Sequence, residues 1–176
     1  MPWHAASRKA SGGLMGLVHR LAKRQDRLYD RLRDPRAHEV AYRTGTADGF
    51  DALRGHRYCL LVTFRRSGQP VPTPVWFGLD DGRLYVRSLA DAGKVRRLHR
   101  DRRVRVCPCN ARGKPLGTLA EGTGRVLEPS EAVRAEAALR SNRGWGRRVY
   151  EAIGTSLGVQ TTYLEIVPSG VGTPSP

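Results

Sequence analysis

Cysteine, acidic side chains, aromatics and long apolar runs are all scarce in this sequence. Three cysteines, Cys59, Cys107 and Cys109, are too few and too odd in number to staple a disulfide scaffold. Cys107-Pro-Cys109 resembles half of a zinc site, but structural zinc takes four ligands and no second pair follows. The expectation is therefore buried thiols at a strand end and no metal. The five histidines, His4, His19, His38, His56 and His99, are scattered without the spacing of a nucleophile–base arrangement. Gly122-Thr123-Gly124 lacks the remaining glycine and the strand-to-helix setting of a dinucleotide fingerprint, and there is no phosphate-binding P-loop. No run approaches the ~18 apolar residues that cross a bilayer. No apolar stretch with a small-residue cleavage site follows the basic start, so the expected compartment is the cytoplasm.

What is abundant is arginine. The chain of 176 residues has 31 basic and 16 acidic side chains, a net charge of +15, and arginine outnumbers lysine 27 to 4. Such an excess asks for an anionic partner. It is concentrated in two places. Residues 1–43 carry ten basic and four acidic side chains, and residues 83–114 carry eleven and two, so these two segments hold the whole excess. Nucleic acid is set aside as the partner, because aromatics (7% of residues) do not interleave with the arginines to form stacking platforms. A hydrophobic content of 39% in a chain of this length is enough for one domain with a real core.

The periodicity divides the chain into three parts: a basic N-terminal extension (1–43), a cofactor-sized β domain (44–168) and a disordered tail (169–176). In the extension, Leu14, Leu17, Val18, Leu21, Leu28 and Leu32 form one stripe of an amphipathic helix over 13–33, with Asp34-Pro35 as its stop. This helix packs its stripe on protein, or lies weakly on an anionic membrane surface at the inner face of the membrane. The span to Gly49 reads as polar linker, and "GFDALRGH" as a short helix ending at Gly55. "RYCLLVTFR", "PVPTPVWFGL" and "RLYVRS", joined by "RSGQ" and "DDG", predict a three-stranded antiparallel meander. A helix follows with Asp91 as its N-cap, then the strand "RVRVCPC". The next strand, "LAEGTGRVLE", has glycines that suggest a bulge or bend. Helices over 129–140 and 145–154 and a closing strand, "VQTTYLEIV", complete the order. This is a mainly β fold with helical inserts, a small antiparallel barrel.

Prolines at 70, 72 and 74 remove every backbone donor along one edge of the second strand, while Val71, Thr73 and Val75 keep theirs on the other. The plain reading is an edge strand shielded by proline. The functional one is a strand whose open edge takes a planar heterocycle along Pro74 to Phe77. The phosphate of such a ligand would be met by Ser88, Lys94, Arg96 and Arg97, where a loop enters a helix N-terminus.

At these residues the sequence resembles the split β-barrel flavin and deazaflavin oxidoreductases related to pyridoxamine 5'-phosphate oxidase, in particular the branch called F-420-dependent PPOX-class oxidoreductases. The resemblance rests on "LLVTFRRSGQPVPTPVWFGLDDGRLYVRS" followed by "GKVRRLHRDRRVRVCPCNARGKPLG", and covers about residues 55–127. It implies an FMN-binding-like split β-barrel, a homodimer with two cofactor sites, and hydride transfer from reduced coenzyme F-420 to a small organic substrate. The ring would lie along Pro74, Val75, Trp76 and Phe77, with the phosphate held by Thr73, Ser88, Lys94 and Arg97 and no catalytic side chain required. Two positions depart from the family's pattern: Asp101-Arg102-Arg103 replaces a frequent Asp-Pro-Arg, and Cys109-Asn110 a frequent Cys-Asp. The alternatives are an FMN or FAD oxidoreductase of the same fold, and a non-enzymatic module that binds a cofactor or nucleic acid.

Overall fold

The computed structural model describes residues 34–142 and 160–170. The amphipathic helix expected over 13–33, the helix expected over 145–154 and most of the expected tail lie outside the described residues.

Seven strands form one antiparallel sheet: β1 (Tyr58–Phe64), β2 (Pro70–Trp76), β3 (Gly78–Asp80), β4 (Arg83–Leu89), β5 (Arg103–Cys109), β6 (Ala120–Val126) and β7 (Thr161–Pro168). Their order across the sheet is β2-β1-β5-β6-β7-β4-β3. The hairpins at both ends are as expected. Asp81 and Gly82 have φ of 49° and 69° between the paired Asp80 and Arg83, the two left-handed residues of a tight hairpin turn.

The meander is not there. β2 pairs only with β1, β3 pairs only with β4, and the two lie at opposite ends of the sheet. What reads as one strand, "PVPTPVWFGL", is two, parted at Phe77. One residue can bridge at most about 7 Å between flanking Cα atoms. Strands at the two ends of a seven-stranded sheet can be that close only if the sheet curls until its edges meet. The split in the strand is thus what makes the barrel.

Alternation then sorts the side chains. Cys59, Leu61, Val75, Phe77, Leu84, Val86, Val104, Val106, Leu164 and Ile166 form the interior. Helix α2 (Gly93–Arg100) adds Val95 and Leu98 to it. The glycines of β6 serve this packing and not a bulge, because the β5–β6 and β6–β7 registers run without interruption. A Cβ on Gly124 would stand 2.9 Å from Leu98 Cδ2, and one on Gly122 would stand 2.6 Å from the Val167 carbonyl oxygen.

Two smaller clusters cover the outside. Residues 34–43 are no linker: Arg36–Ala41 form a helix, α1, that buries Ala37 and Ala41 against Leu60, Val62, Phe64, Cys107 and Cys109. The compact unit accordingly begins at Asp34, earlier than residue 44. A short helix that buries only two alanines, with Val40 half-buried beside them, gives almost no apolar stripe to read. On the other side α3 (Ala132–Ser141) seats Ala135, Ala138 and Leu139 on Tyr85 and Tyr163. Its approach is so close that a Cβ on Gly78 would fall 2.3 Å from the Ala138 carbonyl.

Candidate functional site

β2 is an edge strand, and its register explains how it tolerates its prolines. Val71, Thr73 and Val75 stand opposite Thr63, Leu61 and Cys59 of β1, while Pro70, Pro72 and Pro74 stand opposite Phe64, Val62 and Leu60. The residues that keep an N–H can serve the ladder with β1, and those without one cost nothing on the open side. Pro70 and Pro72 are buried, in a strand that α1 packs against. Thr73, Pro74 and Trp76 are half-buried. Val75 and Phe77 belong to the barrel interior, so their side chains serve the core, and the open edge is presented by Pro74 and Trp76. Trp76 points the other way, toward the cluster under α3.

The remaining site residues sit around α2. The helix starts at Gly93 with Ala92 in the N-cap position and no side-chain cap, so Asp91 does not play the part expected of it. Its first turn carries Lys94 and Arg96 and no acid. Positive side chains at the positive end of the helix dipole are unfavourable by about 0.3–1 kcal/mol each. An anion bound there reverses the sign of that interaction, so the donor set fits a phosphate.

Arg97 is placed by a residue that sequence reasoning missed. Its Nε donates to Thr63 Oγ1 at 2.7 Å, and Thr63 is wholly buried near the end of β1, opposite Val71. This bond brings α2 to the strand next to β2. Thr63 reads in the sequence as one more β-branched strand residue, and only its register against β2 could have singled it out. Ser88 is also wholly buried, and its hydroxyl donates to the Leu89 carbonyl at 3.2 Å at the start of the loop into α2. The structure therefore gathers Arg97 and Thr63 at the Val71 end of β2, and sets Ser88 inside the barrel wall.

Phe64 gathers more arginine. Arg100 Nη2 donates to its carbonyl at 2.7 Å, and the guanidinium carbons of Arg103 and Arg105 lie 5.2 and 5.3 Å from its ring centroid. Arg65 and Arg66 follow it in an exposed turn. The acids nearby are Asp101, bonded to Arg103, and Glu121, bonded to Arg105. The cysteines are buried as expected. Burial pushes the thiol of Cys107 up to about 11, and burial together with Cys107 pushes that of Cys109 up to about 12.

Residues 48–156, well over half of the chain, match the family described as pyridoxamine 5'-phosphate oxidase. The chain belongs to that family. Its members are flavin-binding oxidoreductases in the main, and its fold is the curled antiparallel sheet described above. Solved structures agree on the fold. A conserved hypothetical protein of Mycobacterium tuberculosis is 20% identical over 72% of this chain and 86% of its own, with a TM-score of 0.51. An FAD-binding protein of Mesorhizobium loti is 17% identical over 67% and 83%, with a TM-score of 0.50. The heme storage protein HutZ of Vibrio cholerae is 13% identical over 65% and 83%, also with a TM-score of 0.50. No curated protein matches the sequence.

Proposed function

We propose that the chain is an oxidoreductase that uses reduced coenzyme F-420 to deliver hydride to a small organic substrate, and that it works as a homodimer. The observation that carries the choice of cofactor is the arginine assembled around Phe64, which Arg100 joins from the last turn of α2, the helix whose start fits a phosphate. Five arginines there (Arg65, Arg66, Arg100, Arg103 and Arg105) accompany two acids, far more positive charge than one phosphate ester calls for. Coenzyme F-420 carries a phosphodiester and an oligoglutamate tail.

In this reading the open edge of β2, from Pro74 to Phe77, orients the ring. Thr73, Lys94 and Arg97 hold the phosphodiester, Arg97 being aimed by Thr63. Ser88 donates to the Leu89 carbonyl at the end of β4. When bound, a 5-deazaflavin supplies two-electron hydride transfer, so the protein contributes orientation and electrostatics and no side-chain nucleophile.

An FMN or FAD enzyme is the second reading, favoured by the FAD-binding protein of like fold. Parallel equilibrium titrations with F-420, FMN and FAD decide between them. Tightest binding of F-420, weakening as salt rises, supports the proposal; tighter binding of FMN or FAD rejects it. Light scattering of the full chain tests the dimer. No described helix is long and apolar enough to cross a membrane. The proposed surface association of residues 13–33 is tested by loss of anionic-vesicle binding on their removal.

A further inference from the structure

The two edge strands are joined by Phe77 alone, so the path of the chain at that residue sets the direction in which Pro74–Trp76 approach the open edge. Phe77 lies outside both ladders. Its carbonyl accepts from Asn142 Nδ2 at 2.6 Å, and the same amide reaches the His56 carbonyl at 3.3 Å. Asn142 is the residue that ends α3, and Gly78, next after Phe77, lies against the Ala138 backbone of that helix. One end of α3 therefore grips the split point twice, once by contact and once through a side chain. Only a donor can hold two carbonyls together; a carboxylate of the same shape would repel both.

We infer that Asn142 is a positioning residue: its amide ties the Phe77 and His56 carbonyls and so holds the β2 segment Pro74–Phe77 in the shape that receives the cofactor ring. The inference rests on the reading of β2 as the ring site, and its test separates the two.

The full-length protein and its Asn142→Asp and Asn142→Ala variants are compared, with Arg140→Ala as control. Arg140 makes an exposed pair with Glu136 on the same helix and does not touch the split point. Hydrogen exchange without cofactor reads the tie itself: amides of residues 75–79 exchange faster in both Asn142 variants and not in Arg140→Ala. Titration with F-420 and FMN, followed by the visible circular dichroism induced in the bound chromophore, reads its consequence. Asn142→Asp binds about tenfold more weakly at neutral pH, the effect of losing a hydrogen bond and gaining a repulsion. Its induced signal is altered at saturation. Relative to wild type at each pH, affinity recovers as pH is lowered and the carboxyl gains a proton to donate.

Exchange at 75–79 equal to wild type in both variants overturns the tie. Faster exchange with an unchanged induced signal and no pH-dependent recovery reduces Asn142 to a structural cap and overturns the positioning role. An Arg140→Ala variant that reproduces the binding loss does the same. Wild-type protein that binds neither cofactor, with Asn142→Asp still exchanging faster, overturns the ring-site reading and leaves the tie standing.

Discussion

Two arginine-rich regions of the barrel use the same side chain to opposite ends. On the outer face of β4, β6 and β7, arginine meets acid. Arg125 donates to Glu165 at 2.6 Å and to Glu131 at 2.7 Å, Arg83 donates to Glu165 at 3.1 Å, and Arg134 donates to Asp80 at 2.6 Å. Glu165 is buried, and Tyr85 adds a third donor to it. At the barrel end near Phe64 arginine outnumbers acid: Arg103 and Arg105 are paired with Asp101 and Glu121, while Arg100 donates to the Phe64 carbonyl and Arg105 also to that of Ala41. A hydrogen bond to a carbonyl fixes the guanidinium without cancelling its charge. The first region is a neutralised fastening. The second fastens the barrel and still presents a positive field to a ligand. Net charge alone does not distinguish these two uses; the partner of each arginine does.

The comparison predicts a double dissociation between stability and anion binding. The largest effect is expected from Glu165→Gln, which leaves Arg125 and Arg83 facing a neutral amide. Both arginines are more than a third exposed and Arg125 keeps Glu131, so the loss is smaller than for a fully buried pair, about 2–3 kcal/mol, a fall in Tm of roughly 4–12 °C for a chain of this size. Cofactor affinity should be unchanged, and thermal melts with and without cofactor read both quantities. The same network sets an acid limit. Burial alone would push the Glu165 carboxyl up, but the bonds from Arg125, Tyr85 and Arg83 overcome it and hold the group below its ordinary value of 4.5. The unfolded chain therefore takes up the proton first. The contribution of Glu165 is full above about 4.5 and is lost as pH falls through the lower folded value. Glu165→Gln should flatten that part of a stability–pH profile.

Next in size is Lys94→Ala, which removes a charge-assisted bond of about 1.5–3 kcal/mol and weakens F-420 binding roughly ten- to a hundredfold. Differential scanning should find the cofactor-free Tm nearly unmoved. Thr63→Val keeps the shape of the side chain but removes the acceptor of Arg97 Nε. A loss of about 0.5–1.5 kcal/mol, or roughly two- to twelvefold in affinity, is expected. Rescue by Thr63→Ser would tie the loss to the hydroxyl. The smallest effect belongs to Arg112→Ala, an exposed arginine of the same basic segment that is assigned no part in the site, whose stability change should stay within about 0.5 kcal/mol. A loss of affinity from Arg112→Ala equal to that from Lys94→Ala would make the whole face a diffuse field and remove the residue-level assignment.

The described strands fall in stretches that read as strand from their composition and turn residues, except that β2 and β3 read as one. The connectivity was not legible. Phe77 carries the same apolar signal as its neighbours, and nothing local marks the residue where a strand changes partner. α1 was missed for want of an apolar stripe. Asp91 was chosen as cap for its side chain, whereas the helix starts two residues on without one. For the site, the proline alternation pointed to β2 as an edge strand. Thr63 and Asn142 stayed hidden because their roles depend on residues 34 and 65 positions away.

The place of β7 has a consequence for how the molecule is made. Among the described residues it is the last strand, yet it lies between β6 and β4 and is the one strand that joins them in the sheet. Before residues 161–168 leave the ribosome, the nascent chain can hold a β2-β1-β5-β6 half and a β3-β4 hairpin, each with one edge waiting. The barrel therefore cannot close until that strand has emerged. Its completion is an event of high contact order, slow compared with hairpin formation and exposed to strand exchange with a neighbouring chain while it lasts.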